Sequence, residues 1–226
     1  MKFAFIFVKK KSLRLKNKNI KKLKGKYLFE HSIILAKKVK RFKKIFISTD
    51  SNFIANYSKK KYGIEIIKRP SRLSKPNSKE LDVWKHAIKF VEKKYGFFDS
   101  LTSLPATSPL RNLSDVNKCL NLLKNDTDLV VTIKKAERNP YFNMLKKIGN
   151  FYKLVLDKKK SYSGHMEFNN IYDMTTVCYC GKVSYIKKTD YLLKGKIKAV
   201  YIPFPRSIDI DEKKDIEIAN LYWKKK

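Results

Sequence analysis

Residues 3–8 of this chain read Phe-Ala-Phe-Ile-Phe-Val, an unbroken apolar run close to the amino terminus. A short apolar run without alternation is typical of a strand that is covered on both faces, as in a parallel sheet. A basic loop follows the run, and residues 27–40 then place apolar side chains at roughly helical spacing. The chain is therefore predicted to open with a strand, a loop and a helix.

The same alternation of strands and helices continues along the chain. Further strands are predicted at residues 45–50, 64–67, 97–104, 129–133, 177–181 and 197–202. Helices are predicted after Ser48-Thr49-Asp50, which we expect to cap the second helix, at about 80–94, from Ser114 onward, and through 216–221. Alternating strands and helices predict an α/β fold of three layers, with a mostly parallel twisted sheet and helices on both faces.

Length and composition favour one main domain spanning residues 1–226. With 226 residues, 43% of them hydrophobic, the chain can bury one sizeable core and is short for two independent domains. Between residues 137 and 175 the regular pattern breaks into short aromatic pieces separated by turn residues. We interpret this segment as an insertion within the domain.

The chain is strongly basic, with a formal net charge of +33. Lysines crowd the first thirty residues, where they would attract a polyanion such as nucleic acid. They also recur along the whole chain, which favours a compositional origin for much of the charge. Nucleic-acid binding therefore stays an alternative that charge alone does not establish.

The three cysteines, Cys119, Cys178 and Cys180, lie at no spacing typical of metal ligands. We interpret them as buried thiols in a reducing compartment. The apolar run at 3–8 is too short for a secretory signal, and no segment approaches the length of a membrane span. We expect a cytoplasmic protein with no membrane partner.

Two motifs carry candidate chemistry. Thr107-Ser108-Pro109-Leu110-Arg111 is a turn with two hydroxyls and an arginine, which suits a nucleotide or a sugar. Asp209 and Asp211 stand two residues apart, so in an extended chain their carboxylates share one face at about 6.6 Å between Cα atoms and suit Mg²⁺. The alternative is that Asp211 caps the final helix and Asp209 pairs with a lysine.

Together with Lys18-Asn19-Ile20, Ser48-Thr49-Asp50 and Arg69-Pro70, these motifs resemble those of the acylneuraminate cytidylyltransferases, the CMP-sialic acid synthetases. The resemblance spans nearly the whole chain. It implies a Rossmann-like nucleotidyltransferase fold, CTP and an acidic sugar as substrates, Mg²⁺ as cofactor and a homodimer. We interpret the insertion at 137–175 as a candidate subdomain for dimerisation and sugar binding; the alternative for its aromatic residues is packing in the core.

The resemblance assigns roles to individual residues. The metal ligands are Asp209 and Asp211, and the catalytic set adds two cations, Lys18 and Arg14. The nucleotide-binding residues are Lys9, Ser12, Asn19, Arg69 and Ser78. The sugar-binding residues are Thr107, Ser108, Arg111 and Tyr179.

The first loop departs from the family pattern. The usual Arg-Gly-Gly-Ser is replaced by Lys9-Lys10-Lys11-Ser12, so the loop lacks the glycines that let backbone amides approach a phosphate. We expect it to bind phosphate through ammonium charge instead. The missing glycines and the charge of +33 also support an alternative, a nucleic-acid-binding protein on a degenerate nucleotidyltransferase scaffold. Because no known nucleic-acid-binding module is recognisable, nucleic acid is not the expected partner.

Other departures lie on the sugar side. Pro105 stands where the family has a glutamine, and Asp173 stands where it has an arginine. The reversed charge at Asp173 would repel the carboxylate of an acidic sugar. Either the acceptor differs from N-acetylneuraminate, or a nearby cation such as Lys134, Lys135 or Arg138 supplies the missing partner.

Overall fold

The computed structural model describes residues 1–12, 14–156 and 170–223. Its strands are β1 (Lys2–Val8), β2 (Lys22–Leu23), β3 (Lys26–Tyr27), β4 (Lys44–Thr49), β5 (Glu65–Lys68), β6 (Ser100–Ser103), β7 (Leu129–Lys135), β8 (Leu145–Ile148), β9 (Phe151–Leu154), β10 (Tyr172–Lys182) and β11 (Ile197–Tyr201). Its α-helices are α1 (Leu28–Lys38), α2 (Asn52–Tyr62), α3 (Glu80–Tyr95), α4 (Leu113–Leu122), α5 (Val183–Lys188) and α6 (Lys213–Trp223).

A seven-stranded sheet in the order β11-β7-β10-β6-β1-β4-β5 forms the centre of the fold. The strand β10 is antiparallel to both of its neighbours, β6 and β7, and the other neighbouring strands are parallel. The mostly parallel sheet predicted from the alternating pattern is therefore confirmed. The carboxyl ends of β1, β4, β5 and β6 meet at one edge, where open α/β sheets bind ligands.

Both faces of the sheet are covered by helices, which confirms the three predicted layers. The apolar residues of α1, α2 and α4 pack on one face, against Ala4, Ile6 and Val8 of β1. Those of α3 and α5 pack on the other face, against Phe3 and Phe5. The unbroken apolar run at residues 3–8 thus reflects a strand buried on both sides.

A smaller apolar cluster joins the two ends of the chain. It contains Leu23 of β2, Leu28 of α1, Leu110, Ile210 and Ala219 of α6. The carboxyl-terminal segment that carries Asp209 and Asp211 therefore packs against the loop that follows β1. This packing positions the candidate site.

The segment predicted as an insertion contains a separate hairpin of β8 and β9. Its last residues, 172–175, lie in the main sheet, where Tyr172 and Thr175 pair with Lys135 and Thr132 of β7. The insertion predicted for 137–175 therefore runs into a strand of the central domain. Residues 157–169 of the same segment lie outside the described residues.

The predicted cap of the second helix is wrong. The side chain of Ser51 accepts the hydrogen bond from the amide of Ile54, whereas Ser48 and Thr49 end strand β4. Asp50 instead accepts a hydrogen bond of 2.7 Å from the amide of Lys10. The acid therefore holds the first loop rather than the helix.

The burial of the cysteines agrees with a further expectation. Cys119, Cys178 and Cys180 are free thiols with no exposed surface, as predicted. Among the described helices, none is both long and apolar enough to cross a bilayer.

Candidate active site

One cleft of about 390 Å³ gathers most of the predicted site residues. It opens at the carboxyl ends of β1 and β5, between the loops that follow them and the segment before α6. The predicted residues that line it are Lys9, Ser12, Arg14, Lys18, Asn19, Arg69, Ser78, Thr107 and Asp211. Residues from both ends of the chain therefore share one concave surface.

Asp211 lies at the centre of a charge cluster in this cleft. Its carboxylate accepts a hydrogen bond of 2.8 Å from Nζ of Lys18 and lies 2.7 Å from Nη1 of Arg14. The alternative role for Asp211, capping the final helix, is not seen among the described hydrogen bonds: the amides of Asp211 and Glu212 donate to the carboxylate of Asp215, in the first turn of α6. The carboxylate of Asp211 is thus left to face the cleft.

Asp209 is half-buried and does not line the cleft. Its Oδ1 atom is shielded from solvent and has no hydrogen-bond partner, and within the described ranges no lysine forms an ion pair with this carboxylate. A buried carboxylate oxygen without a partner is unfavourable, because it has lost its hydrogen bonds to water and forms none within the protein. The predicted alternative, a pair between Asp209 and a lysine, is therefore not seen.

Hydrogen bonds hold the first loop against the sheet. Nδ2 of Asn19 donates to the carbonyl of Lys9 at 2.9 Å, and the amide of Lys10 donates to Asp50. Among the described non-glycine residues of the loop, Asn17 alone has a positive φ, 58°. The lysines that replace the family's glycines therefore adopt ordinary backbone angles, and the loop presents side-chain charge to the cleft.

Arg69 is a buried cation at the wall of the cleft, with 7% of its surface exposed. Its Nε donates to the hydroxyl of Ser48 and its Nη2 to the carbonyl of Ser48, at 3.2 and 2.8 Å. Burial lowers the pKa of Arg69 to about 10, against the opposing charges of Asp50 and Glu80. Because Ser48 occupies Nε and Nη2, Nη1 is the guanidinium nitrogen that remains for a ligand.

The Thr-Ser-Pro turn borders the cleft through Thr107. Ser108 is fully buried, and its hydroxyl lies 2.7 Å from Oγ1 of Thr176, to which Thr107 also donates a bond of 3.3 Å. Thr176 sits where the register of β10 shifts, between Thr175 and Cys180. Such irregularities redirect side chains and are frequent beside functional sites.

Of the four residues predicted on the sugar side, Ser108, Arg111 and Tyr179 do not line the cleft. The side chain of Arg111 is 2% exposed and donates to the carbonyls of Ser108, at 2.9 Å, and Pro105. Tyr179 is half-buried, with its ring centroid 6.2 Å from that of Trp84, and burial raises its pKa. The sugar-binding roles assigned to these residues and to the buried Ser108 stay predictions.

Other cleft residues were not identified from the sequence. They are Phe7, Leu15, Leu73, Lys75, Glu80 and Val83. Phe7, Leu73 and Val83 form an apolar wall, which suits the face of a nucleobase. Lys75 could have been found, since it stands in the same loop as Arg69 and adds a cation there.

Comparison of the whole structure with solved structures places the fold. The structure of a CMP:2-keto-3-deoxy-manno-octonic acid synthetase complexed with CTP superposes with a TM-score of 0.70 at 14% identity, covering 99% of this chain and 98% of that chain. Residues 6–90 also match the family model described as cytidylyltransferase. The sheet and its helices thus have the Rossmann-like nucleotidyltransferase fold that was predicted from the sequence.

Relatives in sequence identify the family. The post-translational flagellin modification protein B of Campylobacter coli is 32% identical, covering 94% of this chain and 90% of that protein. The CMP-N,N'-diacetyllegionaminic acid synthase of Campylobacter jejuni is also 32% identical, covering 91% of this chain and 87% of that protein. The chain belongs to the cytidylyltransferase family.

Proposed function

We propose that this enzyme transfers the cytidylyl group of CTP to a nonulosonic acid, a sugar acid of the sialic-acid type, and releases pyrophosphate. The observation that carries the proposal is the convergence of Arg14, Lys18 and Asp211 in one cleft, although 193 residues separate Lys18 from Asp211. A triphosphate needs cations and a metal needs carboxylates, and this cleft presents both.

In this reaction a hydroxyl oxygen of the sugar acid attacks the α-phosphorus of CTP. A new oxygen–phosphorus bond forms, the bond between the α-phosphorus and the bridging oxygen breaks, and the hydroxyl proton is lost. Negative charge develops on the departing pyrophosphate. Fixed cations stabilise that charge most effectively, because they need not reorganise during the step. Lys9, Arg14 and Lys18 are the residues that we assign to this role.

The carboxylates fit Mg²⁺. Oδ1 of Asp209 is buried without a hydrogen-bond partner, and Asp211 is paired with cations that a triphosphate would attract away from it. Over residues 1–12, 14–156 and 170–223, no cluster of three or more His, Cys, Asp or Glu could hold a metal ion. Mg²⁺ commonly binds through one or two carboxylates together with substrate phosphates and waters, which matches this pair. When bound, Mg²⁺ would neutralise phosphate charge and hold the triphosphate in line.

The nucleoside half of CTP is assigned to the opposite wall. Nη1 of Arg69 and the hydroxyl of Ser78 provide polar contacts beside the apolar wall of Phe7, Leu73 and Val83. Asn19 acts by holding the carbonyl of Lys9, which keeps the first loop closed over the phosphates. An apolar surface with a few fixed polar groups is the usual form of a small-molecule site.

For the acceptor we propose a nonulosonic acid with two acylamino groups, of the legionaminic type. The similarity to the Campylobacter jejuni synthase named for N,N'-diacetyllegionaminic acid supports this choice. Asp173, which replaces the family's arginine, lies 3.8 Å from Nζ of Lys134. Lys134 therefore partly neutralises it, and we assign Lys135 and Arg138 as further cations for the sugar carboxylate.

We also propose that the enzyme is a cytoplasmic homodimer joined through the insertion. Large apolar side chains of the hairpin are exposed, including Leu145 at 61% and Phe151 at 76%. Exposed apolar surface favours association with another protein surface. Because most soluble oligomers are homo-oligomers, the expected partner is a second copy of this chain. The three free thiols suit a reducing compartment.

The test is a pyrophosphate-release assay with CTP, Mg²⁺ and a panel of acids: N,N'-diacetyllegionaminic, pseudaminic, N-acetylneuraminic and 2-keto-3-deoxy-octonic acid. We expect release with the first acid to exceed release with the others. The variant Asp211→Asn should abolish turnover, and Lys198→Met, which removes an exposed lysine paired with Asp126, should not. No pyrophosphate from any acid, combined with salt-sensitive RNA binding and no preference for CTP, would instead favour the nucleic-acid alternative.

A further inference from the structure

Arg111 is a buried arginine that does not reach the candidate active site. Its side chain is among the largest fully buried ones, and it donates to the carbonyls of Ser108 and Pro105. Burying a guanidinium is costly unless its hydrogen-bonding groups are used. Here Nε and Nη2 are used to close the turn at residues 105–111 from the inside. The turn is therefore held in one shape by the arginine at its own end.

That turn is joined to the carboxylate segment. The carbonyl of Thr107 accepts a hydrogen bond of 2.8 Å from the amide of Ile210, the residue between Asp209 and Asp211. The side chain of Ile210 is fully buried and belongs to the same apolar cluster as Leu110. A backbone hydrogen bond and side-chain packing thus hold the segment that carries both acids against the turn.

A second observation links the same residues. Nη1 of Arg111 and Oδ1 of Asp209 are both buried without a hydrogen-bond partner in the described part of the chain. Burial lowers the pKa of Arg111 to about 10, and the negative charge of Asp209 is among those that oppose this effect. Each of the two side chains therefore keeps an unused, buried polar atom.

We propose that Arg111 is a positioning residue for the metal-binding carboxylates, acting through the Thr107–Ile210 hydrogen bond and the packing of Ile210 with Leu110, rather than a sugar contact. This inference rests on the proposed function, since the role of Asp209 and Asp211 as metal ligands is itself proposed. Its consequence is specific. Loss of the guanidinium should weaken metal binding while CTP recognition at saturating metal persists.

The test compares Arg111→Lys with the wild-type enzyme in two assays. Binding of Mn²⁺ in the presence of CTP is followed by electron paramagnetic resonance, and kcat and KM for CTP are measured over a range of Mg²⁺ concentrations. Changes to groups that orient metal ligands typically weaken metal affinity by about 10–100-fold. We expect a shift of at least about tenfold in both metal titrations, with KM for CTP at saturating Mg²⁺ within about twofold of wild type.

The matched control is Arg41→Lys. Arg41 also donates to a backbone carbonyl, that of Leu120, and to Asn121, but it lies outside the cleft. The Arg41→Lys variant should have the metal affinity of the wild-type enzyme. If Arg111→Lys does not fold, Ile210→Val keeps the backbone donor while loosening the same packing. It should then shift Mn²⁺ affinity in the same direction by a smaller factor.

The outcomes separate the two proposals. A folded Arg111→Lys protein, or Ile210→Val in its place, with wild-type Mn²⁺ affinity overturns the positioning role and leaves the proposed function standing. If the Asp211→Asn variant binds Mn²⁺ as tightly as the wild-type enzyme does, Asp211 is not a metal ligand. That result overturns both the positioning role of Arg111 and the metal assignment in the proposed function.

Discussion

Replacing Lys18 by methionine should separate a ligand-binding role from a structural one. In the free enzyme Lys18 pairs with Asp211, with side-chain exposures of 16% and 22%. Ion pairs near the surface contribute roughly 0–1 kcal/mol to stability. Arg14 remains as a partner for Asp211 in the variant. The free energy of unfolding should therefore fall by at most about 1 kcal/mol.

The effect on CTP should be larger, because no other group replaces the lost ammonium at the phosphate. Hydrogen bonds to charged groups contribute about 1.5–3 kcal/mol. At about 1.4 kcal/mol per tenfold change, Lys18→Met should weaken CTP binding roughly 10- to 150-fold. Isothermal titration calorimetry with CTP and Mg²⁺ measures the affinity, and urea unfolding measures the stability.

Lys198→Met is the control for this experiment. It removes one positive charge from an exposed pair with Asp126, so it reports the effect of lowering the net charge of +33 by one. If Lys18→Met binds CTP as tightly as Lys198→Met does, Lys18 does not contact the triphosphate and the reasoning is refuted.

Three further predictions follow from the described contacts. Glu30 is buried, and burial alone would raise its pKa, but hydrogen bonds from Lys61 and Tyr62 among others lower the pKa overall. The contribution of Glu30 to stability is therefore present above about pH 4.3, its unfolded pKa, and is lost as the pH falls through the lower folded pKa. Glu30→Gln should reduce stability at pH 7 by about 2 kcal/mol and flatten the acid limb, whereas an unchanged profile in urea unfolding from pH 3 to 7 would contradict this. Arg69→Lys should weaken CTP binding about tenfold, since one ammonium nitrogen cannot reproduce the separated guanidinium nitrogens that contact Ser48 and leave Nη1 for a ligand; calorimetry showing wild-type affinity would remove Arg69 from the nucleotide site. The three cysteines should resist a thiol reagent in the native enzyme and all react in denaturant, and rapid native labelling would show that they are not buried.

The fold was predictable from the sequence where burial alone decides the structure. The run at residues 3–8 is apolar at every position, so it has one interpretation, and β1 forms there. Short elements were missed for the opposite reason. Helix α5 has six residues and no capping side chain, and β2 and β3 have two residues each, so none leaves a periodic pattern. The cap predicted at Ser48-Thr49-Asp50 failed because Ser51 competes one residue later.

The candidate site was predictable only in part. Local patterns place Lys18 in a basic loop and Asp211 beside another acid, but their meeting in one cleft depends on the packing of α6 against the β2–β3 hairpin. The burial of Arg111 could not be foreseen, since an arginine in a turn is ordinarily exposed. The contact of Thr176 with Ser108 depends on a register shift in β10, which is a property of the assembled sheet.

The most direct measurement of the central claim is a crystal structure of the enzyme with CTP and Mn²⁺, with the metal located by its anomalous scattering. The account predicts the triphosphate against Arg14 and Lys18, with the metal between its oxygens and the carboxylates of Asp209 and Asp211. A nucleotide bound outside this cleft, or a metal peak away from both acids, would contradict it.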